Sequence, residues 1–312
     1  MLSPFGSTVT VTGAVPPSTC PSCGGTDGVD PDGFCLTCGV RSVRPRDRME
    51  CDLGVLAAVS DKGPHKARNE DSFAVARLDG GGFVLSVCDG VSNIARSDEA
   101  SQAACDTALA TLMAPSEAGP SEMMVRAASA ASAAVVSLAP GATGAEPPSC
   151  TFLAAHWRAS EGLTIGWLGD CRAYLVDGSS ARQLTTDHSW GTEEVRAGRM
   201  SQQQADADVR SHAITRWLGA DAGLEPVPDL VGEMVDPRAR SLLVAVSDGA
   251  WNYLTSAAEV AGFFADGNLA EGARRFTAHA IARGGHDNIT VVAGWLDGVT
   301  ASPNPSSSTE PL

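Results

Sequence analysis

Apolar residues along this chain gather into short runs that end abruptly at aspartate. Val84-Leu85-Ser86-Val87-Cys88 stops at Asp89-Gly90, and Leu242-Leu243-Val244-Ala245-Val246 stops at Ser247-Asp248-Gly249. A third run, 289–295, opens just after Asp287-Asn288. Unbroken apolar runs of this length mark strands covered on both faces, so each aspartate sits at the rim of a core. Asp-Gly pairs also occur at Asp27, Asp32, Asp79, Asp177, Asp266 and Asp297, where they read as ordinary turns. Asp89 and Asp248 differ, because each closes a long apolar run with no partner strand starting two residues later. Three aspartates at strand ends suggest a metal site.

The same patterning predicts further strands at 53–60, 72–78, 150–158, 163–168, 172–176, 182–184, 223–230 and 241–247. Alanine-rich helices are predicted at 94–113 and 121–138, and further helices at 256–264 and 269–283. Gly169-Asp170 puts another carboxylate at a strand end, and the polar stretch 187–219 reads as a surface flap. Between the first two strands, the loop from Lys62 begins with cations (Lys62, His65, Lys66, Arg68) and ends with Glu70 and Asp71. Such a loop can clamp a phosphate with its first half and a metal with its second. The order of elements is strands, two helices, strands, then helices and a strand, which is not the alternation of a doubly wound sheet. Two packed sheets with helical pairs outside fit it better.

Ahead of this region the texture changes. Residues 1–19 are rich in Ser, Thr, Pro and Gly and are expected to form a mobile arm. Cys20-Pro21-Ser22-Cys23 and Cys35-Leu36-Thr37-Cys38 then stand eleven residues apart, each followed by glycine. Two such knuckles can aim four thiolates at one tetrahedral ion, and the spacing resembles a zinc ribbon, with Zn2+ in a structural role. So short a segment cannot fold on apolar burial alone, so the metal would supply most of its stability. The expected organisation is a ribbon over 20–40, a basic linker over 41–51 read as a solvated hinge, a main domain over 52–298, and a disordered tail over 299–312.

Composition narrows the function classes. With 312 residues and 43% hydrophobic content the chain can bury a large core without disulfides. A formal charge of −15, from 37 acidic against 22 basic residues, opposes nucleic-acid and anionic-membrane surfaces. No run approaches the length of a bilayer-spanning helix. Nine cysteines in such a chain indicate metal ligands or free thiols. A cytoplasmic monomer is the expectation.

The ordered motifs resemble the metal-dependent protein phosphatases of the type 2C serine/threonine family. They are Asn69-Glu70-Asp71-Ser72, Asp89-Gly90-Val91, Gly169-Asp170-Cys171-Arg172-Ala173-Tyr174, Ser247-Asp248-Gly249-Ala250-Trp251 and Asp287-Asn288-Ile289-Thr290. Leu184-Thr185-Thr186-Asp187-His188-Ser189 and Ile214-Thr215-Arg216-Trp217-Leu218-Gly219 resemble the entry and exit of that family's flap. The resemblance implies an α+β fold, a four-layer sandwich of two antiparallel sheets flanked by helices. It implies hydrolysis of phosphoserine and phosphothreonine on proteins with two Mn2+ or Mg2+ ions, by in-line attack of a hydroxide bridging them. Asp89 would bridge both ions, with the Gly90 carbonyl also a ligand. Asp248 and Asp287 would hold one ion, Glu70 and Asp71 the other, and Asp170 would join a third, weaker site. Phosphoproteins would be the substrates, and a serine/threonine kinase the natural counterpart.

Two departures stand out. Where the family carries a phosphate-binding arginine this chain has Lys66, so either Lys66 binds phosphate as a point charge or Arg68 takes the role. Where the second motif usually continues with two glycines and a histidine, this chain reads Val91-Ser92-Asn93-Ile94. The leaving alkoxide would then take its proton from a metal-bound water, from His65 or from His188. An alternative reading follows: a weakly active phosphatase fold that binds phosphoproteins, with the ribbon as the interaction module.

Overall fold

A computed structural model describes residues 12–13, 20, 23, 25, 28, 34–40, 44–91, 96–139, 146–223, 225–236 and 238–297. The expected disordered tail therefore lies outside the described residues, as do Ser92, Asn93 and Ile94. In chain order the first half comprises β1 (Thr12–Gly13), β2 (Arg48–Asp52), β3 (Leu56–Asp61), β4 (Ser72–Arg77), β5 (Phe83–Cys88), α1 (Ser97–Met113) and α2 (Pro120–Ser137). Then come β6 (Ser149–Cys150), β7 (Phe152–Arg158), β8 (Gly162–Leu168), β9 (Arg172–Asp177), β10 (Ser180–Gln183), α3 (Trp190–Arg196) and α4 (Gln202–Asp206). The chain closes with β11 (Leu218–Gly219), β12 (Asp229–Glu233), β13 (Ser241–Val246), α5 (Asp248–Trp251), α6 (Glu259–Phe263), α7 (Leu269–Ala282) and β14 (Ile289–Leu296).

One large sheet runs β1-β2-β3-β14-β13-β9-β10, a second β12-β8-β7-β5-β4, and β11 pairs with β6 in a two-stranded sheet, with all neighbours antiparallel. The facing sides of the first two share a core that includes Leu56, Ala58, Phe73, Leu85, Ile165 and Val292. The other face of the first sheet packs Ala57, Val59 and Val244 under α5, α6 and α7. On the second sheet Ala74, Ala76 and Val84 lie under α1 and α2. Successive residues of β3 thus alternate between the inter-sheet core and the helical layer. That is why these antiparallel strands read as unbroken apolar runs: both faces are covered. Alanines at 100, 104 and 108 of α1 are fully buried, and their small size lets the helix pack closely on its neighbours.

The expected linker over 41–51 needs correction in its second half. Pro45–Asp47 is a 3-10 turn, and Arg48–Asp52 is β2, paired along its length with β3. Met49 and Cys51 face the core while Arg48 and Glu50 pair on the opposite side, a period of two that the arginines disguise in the sequence. Two residues of the expected arm, Thr12–Gly13, pair with β2. The strand expected at 223–230 forms later, at Asp229–Glu233, where an edge position with alternating burial leaves only a weak apolar signal.

Candidate metal centre

Strand register brings the carboxylates together. Ser72 of β4 pairs with Cys88 of β5, which puts Asp71 and Asp89, one residue beyond each, side by side. On the other sheet Val246 pairs with both Val291 and Arg172. That sets Asp248, Asp287 and Asp170 at one end of three adjacent strands, the same end of the sandwich. Glu70 joins them because the Gly90 amide donates to its backbone carbonyl (3.1 Å) and the Ser97 hydroxyl to its Oε1 (2.6 Å). A Cβ on Gly90 would lie 2.6 Å from the Ser97 carbonyl oxygen and 2.8 Å from that of Glu70, so no larger residue fits there.

Asp71 is fully buried, and its Oδ2 accepts from the Ser247 hydroxyl (2.7 Å) and the Thr290 hydroxyl (2.8 Å). Its Oδ1 is buried with no donor, and so is Oδ1 of Asp248. Burial pushes the Asp71 carboxyl up to about 7, against its two hydroxyl donors and with help from the charges of Asp248 and Asp287. Burial also raises Asp89 and Asp170 well above the ordinary carboxylate range, and Asp248 above it; neighbouring carboxylates add to each shift. Such crowding is unfavourable unless a cation neutralises it. Hard oxygen donors, two of them orphaned, fit a divalent cation of the Mn2+ or Mg2+ type.

Lys66 already leans into this field. Its ammonium lies 2.7 Å from Asp287 Oδ1, and the charges of Asp89 and Glu70 also act on it. Arg68, the other candidate for holding phosphate, acts electrostatically on Glu99 of α1. The loop carrying both is clamped by Asn288, whose Oδ1 accepts the Glu70 amide and whose Nδ2 donates to the carbonyls of Lys62 and Arg68, all at 2.8 Å.

The two candidate histidines diverge. His188 is buried, its Nδ1 accepts the Gly169 amide (3.1 Å), and its Nε2 lies 3.3 Å from Asp229 and 2.9 Å from Arg216. Burial lowers its pKa, so the ring stays neutral with its proton on Nε2. It ties the entry and exit of the flap to the Gly169 turn, which removes it as a proton donor to a leaving group. His65 is exposed and stacks on His286 at 5.3 Å. Cys88, Cys150 and Cys171 are buried in the cores, as packing residues should be.

Motif membership alone does not give every site residue its role. Asn288, Ser247 and Thr290 lie within the quoted motifs, but their work as clamps and donors is visible only in the fold. Arg172 forks onto Asp187 (3.0 and 2.7 Å) while its guanidinium carbon lies 3.4 Å over the Trp251 ring. Together with Ser189, His212 and Asn252 these residues line a cavity of about 370 Å3 beneath the flap. Asn252 donates to Asp248 Oδ2 (3.3 Å), so this cavity adjoins the carboxylates.

At the other end of the chain, Cys20, Cys23, Cys35 and Cys38 bring their sulfurs within 4.8 Å of one another. Cys20 and Cys38 sulfurs lie 3.7 Å apart, and those of Cys23 and Cys35 3.8 Å. A tetrahedron with metal–sulfur bonds of about 2.3 Å has an edge of about 3.8 Å, so the four thiols are spaced as a metal needs them. The Gly25 and Thr37 amides donate to the Cys23 and Cys35 sulfurs at 3.4 Å each. Amides of Cys38 and Thr37 hold the Cys35 thiol down to about 6. For Cys23, the Gly25 amide works downward, but contacts with the other sulfurs leave it at about 12. One thiolate thus suppresses the next, as four close sulfurs must without a cation.

Comparison with known proteins agrees with this arrangement. The family model for protein phosphatase 2C matches residues 64–267. The serine/threonine protein phosphatase PstP of Mycobacterium tuberculosis is 32% identical over 241 residues, 76% of this chain and 44% of that protein. The serine/threonine phosphatase stp of Listeria innocua is 34% identical over 143 residues, 46% of this chain and 55% of that protein. The chain thus spans about half the length of the curated relatives it matches. Among solved structures, the Mycobacterium tuberculosis PstP phosphatase superposes with a TM-score of 0.67 at 27% identity, covering 78% of this chain and 98% of that one. The PstP catalytic domain in complex with two manganese ions gives 0.64 at 29%, covering 78% and 98%. The Streptococcus agalactiae phosphatase shares the fold, with a TM-score of 0.69 at 23% identity over 78% of this chain and 99% of that one. With the family model spanning most of the chain and a relative 32% identical over 76% of it, this protein belongs to the protein phosphatase 2C family.

Proposed function

We propose that the protein is a metal-dependent phosphatase that hydrolyses phosphoserine and phosphothreonine on proteins. The observation that carries this reading is the crowded, mutually repelling set of buried Asp71 and Asp170 with half-buried Asp89 and Asp248, in which Asp71 and Asp248 each hold one buried oxygen with no donor. Two Mn2+ or Mg2+ ions would be held by Glu70, Asp71, Asp89, the Gly90 carbonyl, Asp248 and Asp287, and Asp170 would serve a third. When bound, such ions supply a nucleophile at neutral pH and neutralise charge on the phosphoryl oxygens. Lys66, held 2.7 Å from Asp287 beside the carboxylates, would orient the incoming phosphate as a point charge. Asn288 keeps the Lys66-to-Glu70 loop in register with Asp287 throughout.

The four cysteines would hold one structural Zn2+, and the ribbon would serve docking or regulation. None of the nine cysteines is disulfide-bonded, which suits a reducing, cytoplasmic setting and a kinase counterpart acting on the same phosphoproteins. Hydrolysis of p-nitrophenyl phosphate and of a phosphothreonine peptide, with and without Mn2+, tests the reading. Turnover that requires Mn2+ is expected. A folded, Mn2+-loaded protein that binds the phosphopeptide without cleaving it would instead make this a phosphoprotein-binding member of the family.

A further inference from the structure

Arg46 lies in the segment whose arginines read as a solvated hinge, yet its side chain turns inward and grips the carboxylate loop. Its Nη2 donates to the Asp71 carbonyl (3.2 Å) and the Ser72 hydroxyl (2.8 Å), and its Nη1 donates to Gln102 Oε1 of α1 (3.0 Å). The Arg46 carbonyl in turn accepts from Asn69 Nδ2 (2.8 Å). From Ser72 the contact continues to the Ser101 hydroxyl (2.9 Å), which also donates to the Glu70 carbonyl. With its guanidinium on Asp71 and Ser72 and its carbonyl on Asn69, Arg46 therefore touches both sides of the chain turn that presents Glu70 and Asp71, and the guanidinium ties that turn to α1.

The anchor is itself held firmly. Asp47 Oδ2 accepts the Arg44 amide (3.0 Å), and the Lys62 amide donates to the Asp47 carbonyl (2.8 Å). None of these bonds involves the cysteine ribbon. The charges of Asp98 and Asp106 from α1, and of Asp71, face the guanidinium. A fixed positive charge behind Asp71 also offsets part of the carboxylate repulsion before any ion arrives.

We propose that Arg46 is a positioning residue of the carboxylate centre, fixing the Glu70-Asp71-Ser72 backbone against α1 and thereby setting the affinity of the centre for divalent cations. The proposal rests on the metal-dependent reading of the site. Arginine is required because its planar fork reaches the carbonyl, the hydroxyl and the glutamine at once, whereas a lysine reaches one acceptor well.

Mn2+ binding to the full chain, read directly by calorimetry or by electron paramagnetic resonance, tests it. Arg46→Ala should weaken Mn2+ binding about tenfold and Arg46→Lys by a smaller factor, the range seen when groups behind metal ligands are removed. The half-activating Mn2+ concentration for p-nitrophenyl phosphate should rise by the same factors, while kcat at saturating Mn2+ stays within about threefold. If Arg46→Ala does not fold, Arg46→Lys decides alone. Unchanged Mn2+ affinity in the folded variants overturns the proposal, as does a fall in activity that added Mn2+ does not recover. Wild-type protein that binds Mn2+ but hydrolyses nothing sinks the phosphatase reading while the affinity comparison still stands. Wild-type protein that binds no Mn2+ overturns both.

Discussion

The two candidate metal sites of this chain stand in opposite relations to the fold around them. The carboxylate edge is assembled by strand register from two sheets, and two of its aspartates, Asp71 and Asp170, are buried at a cost the surrounding cores sustain. The cysteine ribbon has little core of its own: Phe34, Leu36 and Val40 are exposed, and Cys35 is the one buried apolar residue among its described positions. In the first site the fold positions the ligands for the metal. In the second, a metal would position the fold. Removing metal should therefore silence the one and unfold the other.

The largest expected effect is on chemistry. Asp89→Asn should lower phosphatase turnover by about 10^3-fold or more while leaving circular dichroism unchanged, since the fold does not depend on that ligand. Next, Lys66→Ala should raise KM for a phosphopeptide about tenfold, roughly 1.4 kcal/mol, with a smaller effect from Arg68→Ala. The reverse order would return the phosphate to Arg68. A third test uses pH on metal-free protein. Asp71 is raised to about 7, with Asp89, Asp170 and Asp248 also raised, so between the ordinary aspartate range and pH 7 the folded chain binds more protons than the unfolded one. Stability must then fall as pH rises through that window. Thermal melts should lose on the order of 5 °C between pH 5 and pH 7.5, and saturating Mn2+ should restore it. A flat profile in metal-free protein would mean that the carboxylates do not repel as described. The smallest effect concerns the ribbon: Cys20→Ser with Cys35→Ser should release its metal yet change p-nitrophenyl phosphate turnover by less than about twofold. A large loss there would show that the ribbon supports the carboxylate edge after all.

Much of the carboxylate edge was legible because apolar runs ending in Asp-Gly give both a strand and its terminal charge. Asp89 and Asp248 come directly from that pattern, Asp287 from an apolar run that opens just after it, and the cysteine spacing gives the ribbon. The roles of the clamps were not legible. Asn288, Ser247 and Thr290 lie within the motifs, but they act across 43 to 230 residues of sequence, which no local period encodes. Arg46 was hidden by its own neighbours, since arginines beside a proline read as a solvated hinge until the register of β2 turns the segment inward. His188 was likewise ambiguous, because only the fold reveals that both its nitrogens are engaged.

Elemental analysis of Mn2+-loaded wild type beside Asp89→Asn tests the contrast between the two sites most directly. We expect one zinc and two manganese per wild-type chain, with the zinc retained and the manganese lost in the variant. Manganese retained at the wild-type level in Asp89→Asn, or zinc departing with it, would contradict the separation of the two sites on which this account rests.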